Sequence, residues 1–189
     1  MAHENRAGLP SPWAGFFEEL DAALHEQVRV YCIGGFVVSI YYGLQRATGD
    51  VDYSSAAPIH CIKDLQALAG KDSALAKKYR VHLQHVAVNT LPENWEDRLV
   101  EMFAGQFTKL RLFAPDPYDL ILSKLERNSS KDRDDVEYVA RTCHLKPEAL
   151  RDRYEKEMRP YIANETRHDL TLKLWRESCF PAAPARLRV

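Results

Sequence analysis

The chain has 189 residues, 46% of them hydrophobic and 28% charged, with a formal net charge of −1. Such a length suits one domain, or one domain with a helical appendage, and the apolar share is enough to bury a core. The charge balance argues against a general nucleic-acid coat, though not against a local basic patch, and no apolar run approaches the ~20 residues of a membrane helix.

The first residues, Met1-Ala2-His3-Glu4-Asn5-Arg6, lack the apolar stretch of a signal peptide. Residues 1–11 are polar, contain Pro and Gly, and are expected to fray. Ser11-Pro12 can open a helix. Phe16, Phe17, Leu20, Ala23 and Leu24 then recur at helical spacing, which predicts a helix over roughly 12–27. Residues 28–33 read as a buried strand, Gly34-Gly35 as a turn, and 35–45 as an apolar helix with Val37, Val38, Ile40, Tyr41 and Leu44. Residues 50–54 form a second strand, and 61–78 a helix with Leu65, Leu68, Leu75 and Ala76 on its apolar side. Alternation predicts strands at 81–88 and 107–113; Leu91-Pro92-Glu93-Asn94 is a turn, and 95–104 has no decided pattern. Beyond Pro115 the pattern is helical, at roughly 117–127, 131–142, 147–160 and 164–178, before a loose tail from Pro181 to Val189. No repeat or low-complexity segment interrupts this order. The expected fold is α/β (α+β): a mixed sheet flanked by helices over residues 1–115, then a helical region over 116–189.

Four cysteines, Cys32, Cys61, Cys143 and Cys179, are scattered without a CxxC pair. They predict reduced, mostly buried thiols in a cytoplasmic protein. The seven histidines show no ligand-like spacing to them, so a zinc site is not expected.

The densest chemistry lies in Gly34-Gly35 and Asp50-Val51-Asp52. Side chains alternate across a strand, so Asp50 and Asp52 share a face and Val51 takes the other. Two adjacent carboxylates suit a hard divalent cation such as Mg²⁺. Without a Cβ, Gly34 and Gly35 let the backbone approach a phosphate at a helix start. The turn is neither a GxGxxG fingerprint nor a Walker A loop, because no GK[ST] follows. A phosphate cradle beside an acid pair points to phosphoryl or nucleotidyl transfer. Arg46 and Thr48 precede the acids; Arg46 suits a triphosphate or an ordinary surface ion pair.

A second cluster runs from Asp119 through Lys124 to Arg127, then from Lys131 through Asp132, Arg133, Asp134 and Asp135 to Val136. Lys124 shares a helix face with Leu120 and Ile121 and, taken alone, reads as a snorkelling lysine. Asp132 and Asp135 share a face one turn apart and, taken alone, complement a helix dipole, with Ser129 or Ser130 as cap. Lys109, Arg111, Arg127, Lys131 and Arg133 form either a basic rim for RNA or a solvated face.

The ordered pair of blocks resembles the nucleotidyltransferases of the polymerase-β superfamily, in particular the DUF6036/AbiEii-like group, which includes toxins of type IV toxin–antitoxin systems. The likeness spans about residues 28–140. It implies that Gly34, Gly35 and Ser39, with Arg46 and Thr48, frame the nucleotide, and that Asp50 and Asp52 hold Mg²⁺ or Mn²⁺. It further implies that Lys124 contacts the nucleotide and that Asp132 or Asp135 completes the motif. The implied reaction moves an NMP from an NTP to a hydroxyl of a protein, a tRNA 3′ end or a small molecule, with an antitoxin as a partner. Many relatives supply a third metal-binding acid from a later strand, and the strand at 81–89 has none. The third ligand is then Asp132 or Asp135, or it is missing. A non-catalytic nucleotide-binding or protein-interaction module is the alternative, and a metal-dependent hydrolase a third reading.

Overall fold

The computed structural model describes residues 8–180. The expected tail at 181–189 and the fraying at 1–7 lie outside them. Residues 8–11, also expected to fray, are tied down: Leu9 is buried, and the Ala14 amide donates to the Pro10 carbonyl at 3.1 Å. The chain divides into two compact units, residues 8–89 with Trp95–Asp116, and Thr90–Asn94 with residues 117–180.

The first unit carries five strands: β1 (Val28–Cys32), β2 (Asp50–Ala57), β3 (His82–His85), β4 (Val100–Met102) and β5 (Leu110–Ala114). Their order is β3-β2-β1-β5-β4. β1 runs antiparallel to β2 and parallel to β5; β2 and β3 are parallel, and β4 and β5 antiparallel. The sheet is therefore mixed, as expected. Helix α1 (Trp13–Ala23) buries Trp13, Phe16, Phe17 and Leu20. Its rings pack on Phe36 with centroids 5.0 Å from Trp13 and 5.7 Å from Phe17. Edge-on pairs of this kind add roughly 0.5–1.5 kcal/mol each beyond burial. Phe36 belongs to α2 (Gly34–Phe36), which widens into a π-helical turn at Val37–Tyr41. Asp21, on the same α1, accepts backbone N–H bonds from Thr108, Lys109 and Leu110 at 3.1, 2.7 and 2.7 Å. That clamp occupies the start of the expected strand at 107–113, so β5 begins only at Leu110.

The expected helix at 61–78 is two helices, α3 (Cys61–Ala69) and α4 (Ala74–Tyr79). It breaks at Gly70, where a Cβ would stand 2.4 Å from the Gln66 carbonyl oxygen. Ser73 then caps α4, its Oγ accepting from the Ala76 amide. β4 was not legible in sequence, since three residues carry no readable period.

The second unit holds α5 (Pro117–Leu122), α6 (Ser130–Thr142), α7 (Pro147–Arg153) and α8 (Glu165–Ser178). α5 stops earlier than the expected 117–127 and passes into tighter turns, Lys124 and Leu125 amides donating three residues back to Ile121 and Leu122. α7 also stops short of 160, giving way to a π turn at Tyr154–Met158 and a 3₁₀ turn at Arg159–Tyr161. Pro160 has no amide to continue an α ladder. No helix among the described residues is long and apolar enough to cross a membrane.

Candidate active site

β2 places Asp50 and Asp52 on one face, both half-buried, and seals Val51 into the other. Thr48 steadies the first acid: its hydroxyl lies 3.2 Å from both the Asp50 carbonyl oxygen and Oδ1. A register shift between Tyr31 and Cys32 marks a β-bulge just before the glycine turn. Beyond it, the Ile33 amide donates to the Asp52 carbonyl at 2.8 Å. Gly34 follows with φ +73°, a region open to glycine and costly for other residues. A Cβ on Gly34 would stand 2.6 Å from Asp52 Oδ2. A Cβ on Gly35 would meet only ordinary contacts, 3.6 Å from Thr48 Oγ1 and 3.9 Å from Arg46 Nη2. Gly34, Gly35, Arg46, Thr48, Asp50 and Asp52 thus gather in one place. Behind them, burial and then the Asp52 charge push the Cys32 thiol up. Ser39 is buried on the π-helical turn, its Oγ without a hydrogen-bond partner among the described residues.

β3 runs beside the acids with His82 opposite Asp50 and Gln84 opposite Asp52. No carboxylate stands at either register position. Among the described residues no third His, Cys or acidic side chain closes with Asp50 and Asp52 into a tight cluster.

The second block is organised inside the helical unit. Lys124 is 4% exposed, and its amine donates to Asp135 Oδ2 at 2.7 Å and lies 3.7 Å from Asp132 Oδ1. The lysine is therefore enclosed rather than snorkelling. Asp132 is fully buried and does two jobs. It closes a capping box with Ser129, accepting from the Ser129 amide at 2.9 Å and hydroxyl at 2.7 Å. It also takes Arg127 Nε and Nη2 at 2.7 and 2.6 Å, a bidentate pair. Burial alone would raise the Asp132 carboxyl. Arg127, Ser129 and the Lys124 charge outweigh it and hold the group well below the usual carboxylate range. Asp134 is exposed.

A family model described as "Nucleotidyltransferase of unknown function (DUF6036)" matches residues 15–179. The chain belongs to this family. No curated protein and no solved structure matches it. Membership agrees with the two-block reading and makes this a nucleotidyltransferase-family fold.

Several of the basic side chains are engaged locally. Arg111 pairs with Glu101 through Nε at 2.8 Å, and Lys109 Nζ donates to the Leu24 carbonyl. Arg133 Nη1 donates to the Asn128 carbonyl at 2.8 Å. Sequence spacing missed one buried pair: Asp119, with no exposure, accepts from Arg153 Nη1 at 3.0 Å. The partners are 34 residues apart, and no periodicity links them. All four cysteines are free, and Cys32, Cys61 and Cys179 are buried.

Proposed function

We propose that the chain is a metal-dependent nucleotidyltransferase that moves an NMP from an NTP to a hydroxyl acceptor. The observation that carries this is the seating of Gly34 against Asp52, where a Cβ would fill the space above the carboxylate. Glycine there lets the backbone of the turn pass in contact with the acid pair, so the turn that would face the phosphates stands beside the carboxylates that would hold the cation. The donor set fits Mg²⁺ or Mn²⁺: Asp50 and Asp52 offer hard oxygens from one strand face. A bound cation supplies neutralisation of phosphate charge and activation of the acceptor hydroxyl.

The chain's own residues do the rest. Thr48 fixes the Asp50 carboxylate. Gly34 and Gly35 offer backbone N–H groups to the phosphates, and Arg46 adds positive charge. Ser39, whose buried Oγ has no hydrogen-bond partner among the described residues, is assigned with them to the nucleotide. In the helical unit, Lys124 is assigned to nucleotide oxygens on the resemblance of the second block. Asp135 holds that amine in place, and Asp132 anchors the segment through Ser129 and Arg127. Positioning and charge neutralisation dominate such transfers. The acceptor is a protein hydroxyl, a tRNA 3′ end or a small molecule. The likeness of the blocks to toxin–antitoxin toxins supports a toxin role with an antitoxin partner.

A non-catalytic nucleotide-binding module is the second reading, favoured by His82 and Gln84 standing where a third acid would. Isothermal titration of ATP, CTP, GTP and UTP with Mg²⁺, beside a pyrophosphate-release assay, separates the two. Turnover is expected in the wild type, and Asp50→Asn or Asp52→Asn should each abolish it while keeping the circular dichroism spectrum. Binding without pyrophosphate favours the module. Unchanged Mg–NTP binding in both variants would place the site elsewhere.

A further inference from the structure

We propose that Glu26, His60 and Cys61 form a zinc site, independent of Asp50 and Asp52 and beyond the transferase reading. The sheet builds it. β1 and β2 pair antiparallel with Arg29 opposite Ala57 and Val30 opposite Ala56. Glu26 lies just before β1 and His60 just after β2, so the pairing brings the two flanking segments to the same end of the sheet. His60 is the N-cap residue of α3 and Cys61 its first residue. One ligand atom from each of the three lies within 4.8 Å of the others. His60 Nε2 is already 2.9 Å from Glu26 Oε1.

The donor set is diagnostic. A thiolate, an imidazole and a carboxylate suit zinc, whereas Mg²⁺ takes oxygen ligands alone. Three protein ligands leave the fourth tetrahedral position for water. The Cys61 sulfur is buried beside the negative charges of Glu26 and Asp64, an environment that favours a cation. On binding, the thiol proton leaves to solvent, and the thiolate and Glu26 together neutralise the dication. Glu26, 34 residues before His60, meets it through a side-chain contact that no sequence spacing announces. A zinc site, unexpected from histidine–cysteine spacing, thus arises through tertiary structure.

The test uses the metal-free, untagged full chain titrated with Co²⁺. The expected result is uptake of one equivalent with a thiolate-to-cobalt charge-transfer absorption, displaced by Zn²⁺. Cys61→Ser removes the band. His60→Ala, at an exposed position, lowers cobalt affinity at least about tenfold. Asp52→Asn leaves the band intact, which separates this site from the acid pair. No charge-transfer band in the wild type, or one that survives in Cys61→Ser, overturns the proposal. Should Cys61→Ser fail to fold, unchanged cobalt affinity in His60→Ala overturns it alone.

Discussion

Replacing Lys124 by alanine removes the cation from a buried pair. At 2.7 Å from Asp135, the gross attraction is about 6 kcal/mol at an effective dielectric of about 20. The net contribution is smaller, because both groups gave up water. Asp135 is 2% exposed and Lys124 4%, so truncation takes the cation away from a carboxylate held out of solvent. Breaking such a pair costs roughly 3–5 kcal/mol. Asp132 suffers less, since Arg127 and Ser129 still hold it. Urea denaturation should show the midpoint falling at unchanged slope. The double variant Lys124→Met/Asp135→Leu removes both charges and is expected to recover most of that loss. Nucleotide affinity supplies the second readout. A charge-assisted hydrogen bond to phosphate is worth about 1.5–3 kcal/mol, or roughly 10- to 100-fold in Kd. NTP binding should weaken by that factor in Lys124→Ala and stay weak in the restabilised double variant. A single-variant loss below about 1 kcal/mol would refute the buried pair. Wild-type NTP affinity in the double variant would refute Lys124 as a nucleotide contact.

Gly34→Ala combines a positive φ with a Cβ that would stand 2.6 Å from Asp52 Oδ2. It should cost about 1–3 kcal/mol of stability and displace Asp52, so calorimetry should record lost Mg–NTP binding. Gly35→Ala, with contacts no closer than 3.6 Å, should keep the fold, and equal damage from both would show that the approach to Asp52 is not the constraint. Asp132 has a depressed folded-state pKa, so its contribution is complete above the unfolded value of about 4 and fades as pH falls toward the folded value. The acid limb of stability against pH, followed by circular dichroism, should flatten in Asp132→Asn; an unchanged limb would assign acid unfolding to other groups.

Local patterns in the sequence determine what period and residue type decide by themselves. Alternation put Asp50 and Asp52 on one strand face with Val51 opposite, and the structure has them so. Ser129, one of two candidate caps, closes the capping box because a hydroxyl three residues before an acid satisfies two backbone donors locally. The change from mixed sheet to helices near Pro115 was equally local. What depends on distant partners was not legible. Gly70 looks like a tolerable interior residue until the chain turns there and brings the Gln66 carbonyl where a Cβ would go. Lys124, a snorkelling lysine by helix spacing, is enclosed because α6 brings Asp135 and Asp132 to its amine. Glu26 meets His60 and Cys61 only through tertiary structure, 34 residues separating it from His60. Periodicity reports which face a residue occupies; only long-range pairing decides which charge or ligand that face encounters.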